Sequence, residues 1–353
     1  MLRLHAYRYH RPAQLEQALE LLATHAPAAL PIAGGTDLMP NMKHRLFTPD
    51  HLVGLRGLAE LHGIAATAGD PAGAAIEQTR DGPSAAMQAG RPALRIGAAV
   101  TLAAIARDPV VRRDLPALAR AAGLVAGPQL RNMGTIGGNL CLDTRCTYYN
   151  QTEFWRSALG YCLKKDGSVC HVTRVGRKCV AAHSADTPPV LMVLDATVEL
   201  ASVRGTRAVP VGDFFVADGV RNTVRAADEV VTAVRVPRPP AGVRTAFEKL
   251  RLRGAIDFPL LNAALALELA GDAVASMTLV VSGLGARPRV VAGLDKLAGT
   301  SAGPDLVAAV AARAFDQCHP LESSTVDPEW RRAMVPVLVR RLFATALPEL
   351  TAG

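Results

Sequence analysis

The sequence predicts an α+β protein assembled from more than one unit, and three observations carry that expectation. Strand, turn and helix patterns alternate over the first 57 residues. Two glycine-rich turns, AGGTDL (33–38) and GTIGGN (134–139), follow short apolar runs. A proline cluster at 237–240 separates a final stretch that carries its own strand and helix patterns. The expected units are 1–57, 58–238 with a loop inserted at 141–182, and 239–353.

The elements follow in chain order. LEQALELLATHA, from Leu15 to Ala26, has its apolar residues at helical spacing, with Pro12 just ahead, where proline is tolerated. ALPIA, Ala29 to Ala33, reads as a short buried strand running into the first glycine turn, and HLVGL (51–55) as a second strand. Residues 65–92, rich in Ala, Gly, Asp and Pro without a period, read as an extended surface loop. ALRIGAAVTLAAIA is a strand leading into a helix, with Thr101 placed to cap it. LPALARAAGLVAGPQLRN continues as helix to a Gly-Pro breaker, and NMGTIGGNLCLD is a glycine-studded strand or loop. Further on, PPVLMVLDATVELASV is a buried helix turning into a strand. TRAVPVGDFFV supplies a turn and another strand, and EVVTAVRVPRPP is a strand ending in prolines. The rest, from RTAFEKLRLRGAIDFPLLNAALALEL to WRRAMVPVLVRRLFATAL, is a mixture of strands and helices.

Composition narrows the function. Half the chain is hydrophobic and a fifth is charged, as in globular proteins. The net charge is +8, but Lys and Arg are scattered and never alternate with aromatics, so nucleic acid is not expected as a partner. The start, MLRLHAYRYHRPAQ, has no apolar core or cleavage site, and no apolar run is long enough to span a bilayer. The expectation is a cytoplasmic protein with no membrane partner, whose cysteines are reduced. There is no HExxH, GxSxG or Ser/His/Asp set, so no catalytic residue is nominated.

Glycine turns after a strand let backbone N–H groups approach an anion, because no side chain intervenes. Thr36, Asp37, Thr135 and Asn139 stand ready to add contacts to phosphate or ribose oxygens. Neither turn is a GxGxxG fingerprint or a P-loop, and on spacing alone either reads equally well as a structural turn.

The string of motifs RYHRPAQLEQALELLA, PIAGGTDLMPNMK, LRIGAAVTLAAIA, RNMGTIGGNLC, ADTPPVLMVLDATVEL and FEKLRLRGAIDFPLLNAALAL resembles the flavoprotein subunits of the molybdenum hydroxylase family. The resemblance implies a two-subdomain FAD-binding fold of the vanillyl-alcohol-oxidase (PCMH) type and a C-terminal domain of the CO dehydrogenase flavoprotein type. It implies FAD between the subdomains, with Ala29, Leu30, Pro31, Ile32, Ala33, Gly34, Gly35 and Thr36 around its pyrophosphate. Thr101, Gly134, Thr135, Gly138 and Asn139 would line it from the second subdomain. Asp186 would approach the flavin or ribose, Lys249 the isoalloxazine, and Asp257 the flavin end of the C-terminal domain.

Four of six cysteines, Cys146, Cys162, Cys170 and Cys179, fall in one segment, separated by fifteen, seven and eight residues. No gap is the CxxC of a zinc ribbon or ferredoxin, so the spacing says metal without saying which. Zinc, an iron–sulfur cluster and unligated thiols all stay open. Five of the fifteen aromatics, Tyr148, Tyr149, Phe154, Trp155 and Tyr161, share the segment and are expected to pack around a cluster. Cys141 is expected as a buried thiol near the cofactor, Cys318 as structural, and His171 as a hydrogen-bonding rather than a ligating residue.

An inserted four-cysteine loop resembles the β subunits of the 4-hydroxybenzoyl-CoA reductase branch of the family. That implies a [4Fe–4S] cluster on Cys146, Cys162, Cys170 and Cys179. It further implies a molybdopterin-binding large subunit, a [2Fe–2S] small subunit and a ferredoxin-like donor, with electrons ending in reductive dehydroxylation. The alternative is FAD in an oxidative molybdenum hydroxylase, with electrons running from molybdenum to an acceptor. A zinc-stapled, non-redox interaction protein is the third reading.

Overall fold

The structure is a computed structural model that describes residues 2–67, 91–173 and 176–351. Three sheets organise it. The first is parallel, in the order β1 (Arg8–His10), β3 (His51–Gly54), β2 (Ala29–Ile32). Parallel strands need crossover connections, and the helix Leu15–His25 carries the chain from β1 to β2, on either side of β3. Ala18, Leu19 and Leu22 on its inner face are buried with Ala29 and Val53.

The second sheet is antiparallel, in the order β4 (Ile64–Thr67), β5 (Ala93–Gly97), β8 (Val230–Pro237), β6 (Thr197–Ser202), β7 (Gly205–Pro210). Its central β8 is buried on both faces, so it reads as a nearly unbroken apolar run. One face packs under the helices Leu102–Arg107, Pro116–Leu124 and Thr187–Val193 in the largest core, while Val230 and Ala201 join the core of the first sheet.

The third sheet is an antiparallel meander of β9 (Arg244–Leu250), β10 (Leu261–Ala270), β11 (Ala273–Ser282) and β12 (Arg289–Val290). Alternation along β10 divides its side chains between two cores. Leu261, Ala263, Leu265 and Leu267 meet the helices Pro304–Gln317 and Pro328–Ala346, whereas Ala264 belongs to the core of the second sheet. Cys318 is fully buried in the first of these cores, the structural place expected for it. None of the described helices is long and apolar enough to cross a membrane.

The structure corrects four sequence expectations. The GTIGGN turn is not a strand: Ile136–Leu140 is a short helix, because Thr135 Oγ1 accepts from Gly138 N at 3.1 Å and caps it. Pro128 opens a helical turn, Pro128–Arg131, instead of marking only a stop, since proline suits the first helical position. The expected strand over 206–216 stops at Pro210, and Val211–Phe214 is helical. The predicted loop at 65–92 lies mostly outside the described residues, but 65–67 belong to β4, paired with β5.

Candidate functional site

β2 delivers its last residue, Ile32, into the turn 33–36, and the helix Leu38–Lys43 carries the chain away again. The second glycine turn comes from the other side. A Cβ built on Gly34 would stand 2.0 Å from the carbonyl oxygen of Met133, so the two turns touch backbone to backbone. Only glycine permits that approach. Among the described residues, the amides of Gly34, Gly35 and Thr36 donate to no acceptor in the chain. Three successive free N–H groups form a concavity suited to an anion.

A cavity of about 600 Å³ opens beside this contact, a size typical of cofactor sites. Leu30 to Thr36, Gly134, Thr135, Gly138, Asn139 and Asp186 all line it, as do Gly137 and Asp257. Three nominated residues lie off its wall. Ala29 is buried in β2 beneath the first helix. Thr101 spends its hydroxyl on Ala104 N, 3.2 Å away, capping the helix Leu102–Arg107. Lys249 sits behind Asp186.

That last arrangement is a fully buried ion pair. Lys249 Nζ donates to Asp186 Oδ2 at 2.8 Å and to the carbonyls of Leu124 and Asp257 at 3.1 and 3.2 Å. Asn262 Nδ2 donates to Asp186 Oδ1 at 3.0 Å. Burial pushes the Asp186 carboxyl above its ordinary value, against the pull of Lys249 and Asn262. Lys249 therefore acts on the cavity through Asp186. Among the described residues the Asp257 carboxylate has no hydrogen-bond partner, with Lys249 Nζ 3.6 Å away, leaving a carboxylate on the wall able to accept from a bound group. Its neighbour Ile256 holds φ 54°, rare for a β-branched residue, and is tied to Ala126 O at 3.1 Å.

Arg145 is a charged wall residue that no sequence motif pointed to. It pairs with Asp37 of the first turn and stacks 3.9 Å over the ring of Phe258. It thus joins the first subdomain to the C-terminal domain across the opening. Burial raises the Asp37 carboxyl, and Arg145 works against that rise. The adjacency of Arg145 to Cys146 was the available signal. Cys141 lies on the cavity wall, near the cofactor as expected; the residue as a whole is exposed, while burial of its thiol pushes it above its ordinary value.

Beyond Arg145 the chain leaves for the cysteine loop and returns at Ala182. Arg145 and Ala182 exchange both backbone hydrogen bonds, at 2.8 and 2.7 Å, and close the loop's neck. Within it Cys146 lies near enough to Cys162, Cys170 and Cys179 to feel their charge, although among the described residues no three of the four sulfurs lie within 4.8 Å of one another. Cys162, Cys170 and Cys179 are buried. Backbone amides already point at three sulfurs, from Tyr148 to Cys146, from Val172, Thr173 and Val180 to Cys170, and from Ala181 to Cys179 at 3.4 Å. Such donors stabilise thiolates. Burial nonetheless pushes the Cys146 thiol up to about 11. His171 bonds Tyr161 O through Nε2 at 2.6 Å, so it takes the hydrogen-bonding part expected.

The aromatics divide. Tyr149 packs against Cys162 and Cys146, but Phe154 and Trp155 point outward, 82% and 39% exposed. Thr152 caps the helix Glu153–Leu159, and that helix turns both rings to the surface.

The sequence pattern described as the FAD binding domain in molybdopterin dehydrogenase matches residues 5–80 and 84–239. That of the CO dehydrogenase flavoprotein C-terminal domain matches 245–346. The chain belongs to this FAD-binding family and has its PCMH-type fold. Among individual proteins, it is 32% identical to the aldehyde oxidoreductase FAD-binding subunit PaoB of Escherichia coli K12, over 98% of this chain and 99% of that one. It is 31% identical to the xanthine dehydrogenase FAD-binding subunit of Escherichia coli O157:H7, where the match spans 72% of this chain and 66% of the relative. The solved carbon monoxide dehydrogenase of Hydrogenophaga pseudoflava superposes with a TM-score of 0.75 at 25% identity, covering 99% of each chain. The free amides of the first turn and the size of the cavity fit the FAD of the family.

Proposed function

We propose that this chain is the FAD-carrying, electron-transfer subunit of an oxidative molybdenum hydroxylase. Its partners would be a molybdopterin-binding large subunit and a [2Fe–2S] small subunit, and its electrons pass to an external acceptor. One observation supports this above the rest: two glycine turns from different subdomains meet over a cavity, with three amides free. The relatives reported above are named as a xanthine dehydrogenase, an aldehyde oxidoreductase and a carbon monoxide dehydrogenase. They favour oxidation over the reductive, ferredoxin-fed reading that the cysteine loop suggested.

FAD, when bound, supplies the exchange between two-electron and one-electron carriers. The chain's own residues bind and orient. Gly34, Gly35 and Thr36 offer amides to the pyrophosphate. Asp257 offers an acceptor, and Arg145 braces the opening from Asp37 to Phe258. Lys249 fixes Asp186 in place.

Cys146, Cys162, Cys170 and Cys179 form the site of a [4Fe–4S] cluster, retained here as an auxiliary centre. The donor set suits it: four convergent thiols, three of them already facing amides. Their spacing is wider than a single zinc ion asks for. Among the described residues, no three of these sulfurs lie within 4.8 Å of one another. One zinc ion draws its thiolates closer than that, since each Zn–S bond is only about 2.3 Å.

The test is an absorption spectrum with flavin, iron and sulfide analysis on anaerobically purified chain. One FAD and about four irons are expected, with Cys162→Ser losing iron and keeping flavin. Colourless protein with one zinc would refute both assignments. Gly219 backs the same site, as a Cβ there would press 2.7 Å from Cys179 Sγ. Gly219→Ala should therefore cut iron content by roughly half or more at unchanged flavin. Unaltered iron would place Cys179 outside the ligand set. For direction, an aldehyde or purine should bleach the flavin only in the assembled complex.

A further inference from the structure

His10 ends β1, His51 begins β3 and His25 ends the helix that crosses over them. In the parallel pair, Arg8 faces His51, so His10, two residues on, lies on the same sheet face as His51. The end of the helix brings His25 onto that face. The three rings stack, with centroids 3.8 Å apart for His25 and His51, 5.1 Å for His10 and His51, and 5.8 Å for His10 and His25. His10 Nε2 and His51 Nδ1 are 2.8 Å apart. One ring nitrogen from each residue lies within 4.8 Å of the others. No other group of three His, Cys, Asp or Glu among the described residues is so compact.

We propose that His10, His25 and His51 form a binding site for a late first-row divalent cation, zinc foremost. Three half-buried imidazoles this close repel if more than one is protonated, and the neutral ring is the ligand form. The rings lie nearly parallel, 8–24° between planes, so a zinc ion about 2.0–2.1 Å from each nitrogen requires the side chains to rotate until the three in-plane lone pairs point at one position. Three imidazoles select zinc, copper, nickel or cobalt over magnesium or calcium, which favour oxygen. A cleft of about 450 Å³ beside His10 and His25, lined also by Gln17, Glu20 and Thr24, leaves space for water at a further position.

The site is separate from the flavin cavity, whose wall includes none of the three histidines. His51 pairs with Ala29 at the start of β2, the end away from the glycine turn. A bound ion would tie β1, the first helix and β3 together, and so brace the subdomain from the side opposite FAD.

Zinc chloride titrated into the full-length holo-chain, after dialysis against EDTA, tests this by calorimetry and metal analysis. Wild type should take up one zinc at this site and unfold at a higher temperature with it. His25→Gln and His51→Gln should each bind it about tenfold or more weakly and lose the thermal gain, whereas Cys162→Ser should keep both. That contrast separates the imidazoles from the cysteine loop. Equal zinc uptake and equal thermal gain in wild type and His25→Gln would overturn the site. Should His51→Gln fail to fold, His25→Gln, at a helix end and half-buried, decides the matter alone.

Discussion

Gly34→Ala yields a folded chain that has lost its FAD. The added methyl would stand 2.0 Å from the Met133 carbonyl oxygen and 2.6 Å from its carbon. Those atoms are backbone, and Gly134 N is held to Leu130 O at 2.7 Å, so the second turn cannot swing aside cheaply. Overpacking of this kind costs about 1–3 kcal/mol, and relief comes by parting the turns that frame the cavity. Separation of that order predicts roughly tenfold to hundredfold weaker flavin retention. The ratio of 450 nm to 280 nm absorbance after gel filtration reads it, with far-UV circular dichroism confirming the fold. Gly57→Ala is the control, as a Cβ there meets nothing within 4 Å among the described residues. Full flavin in Gly34→Ala would mean that the turns do not hold the cofactor.

Lys249→Met acts on stability more than on binding. It leaves Asp186, 3% exposed in its side chain, as a buried carboxylate without its ammonium. Breaking one side of a buried pair costs about 3–5 kcal/mol. The pH dependence has a definite sign. Burial already raises the folded-state pKa of Asp186, and removing Lys249 takes away the largest opposing pull. The folded variant then holds a proton that the unfolded chain releases above about pH 4. Its stability falls as pH rises from there toward the folded-state value. Urea unfolding should therefore find the variant's deficit smaller at pH 5 than at pH 7.5. Asp186→Asn with Lys249→Met should recover much of the loss, because no lone charge remains. A pH-independent deficit, unrelieved in the double variant, would show that Lys249 contributes packing alone.

What was legible in the sequence depended on how local its cause is. The helix Leu15–His25 follows from apolar spacing, and the glycine turns from residues whose backbone freedom is a property of one position. The four cysteines were readable as a set because one loop carries them all. The helix Ile136–Leu140 was not, since its two glycines argue against helix, while burial under Ala98 and the Thr135 cap decide for it. Arg145 and Phe258 meet over the cavity only because the third unit docks on the second, and no window of sequence contains both. Phe154 and Trp155 were misplaced for the same reason: aromatic content says nothing about which side of a capped helix faces in. His10, His25 and His51 carry no motif at all and become neighbours through the parallel pairing of β1 with β3.

The paired neck at Arg145 and Ala182 has a consequence for ancestry. Its two ends lie one hydrogen-bonded rung apart, so residues 146–181 leave the flavin scaffold and rejoin it at a single point, while Arg156 ties the loop back to the carbonyls of His44 and Arg45. A lineage could gain or shed the whole loop in one event, at the cost of a short reconnecting turn and of the contacts the loop makes with Leu46 and Phe47. The redox centre proposed for this loop would then be a cassette, open to loss wherever an organism's electron acceptor makes it superfluous.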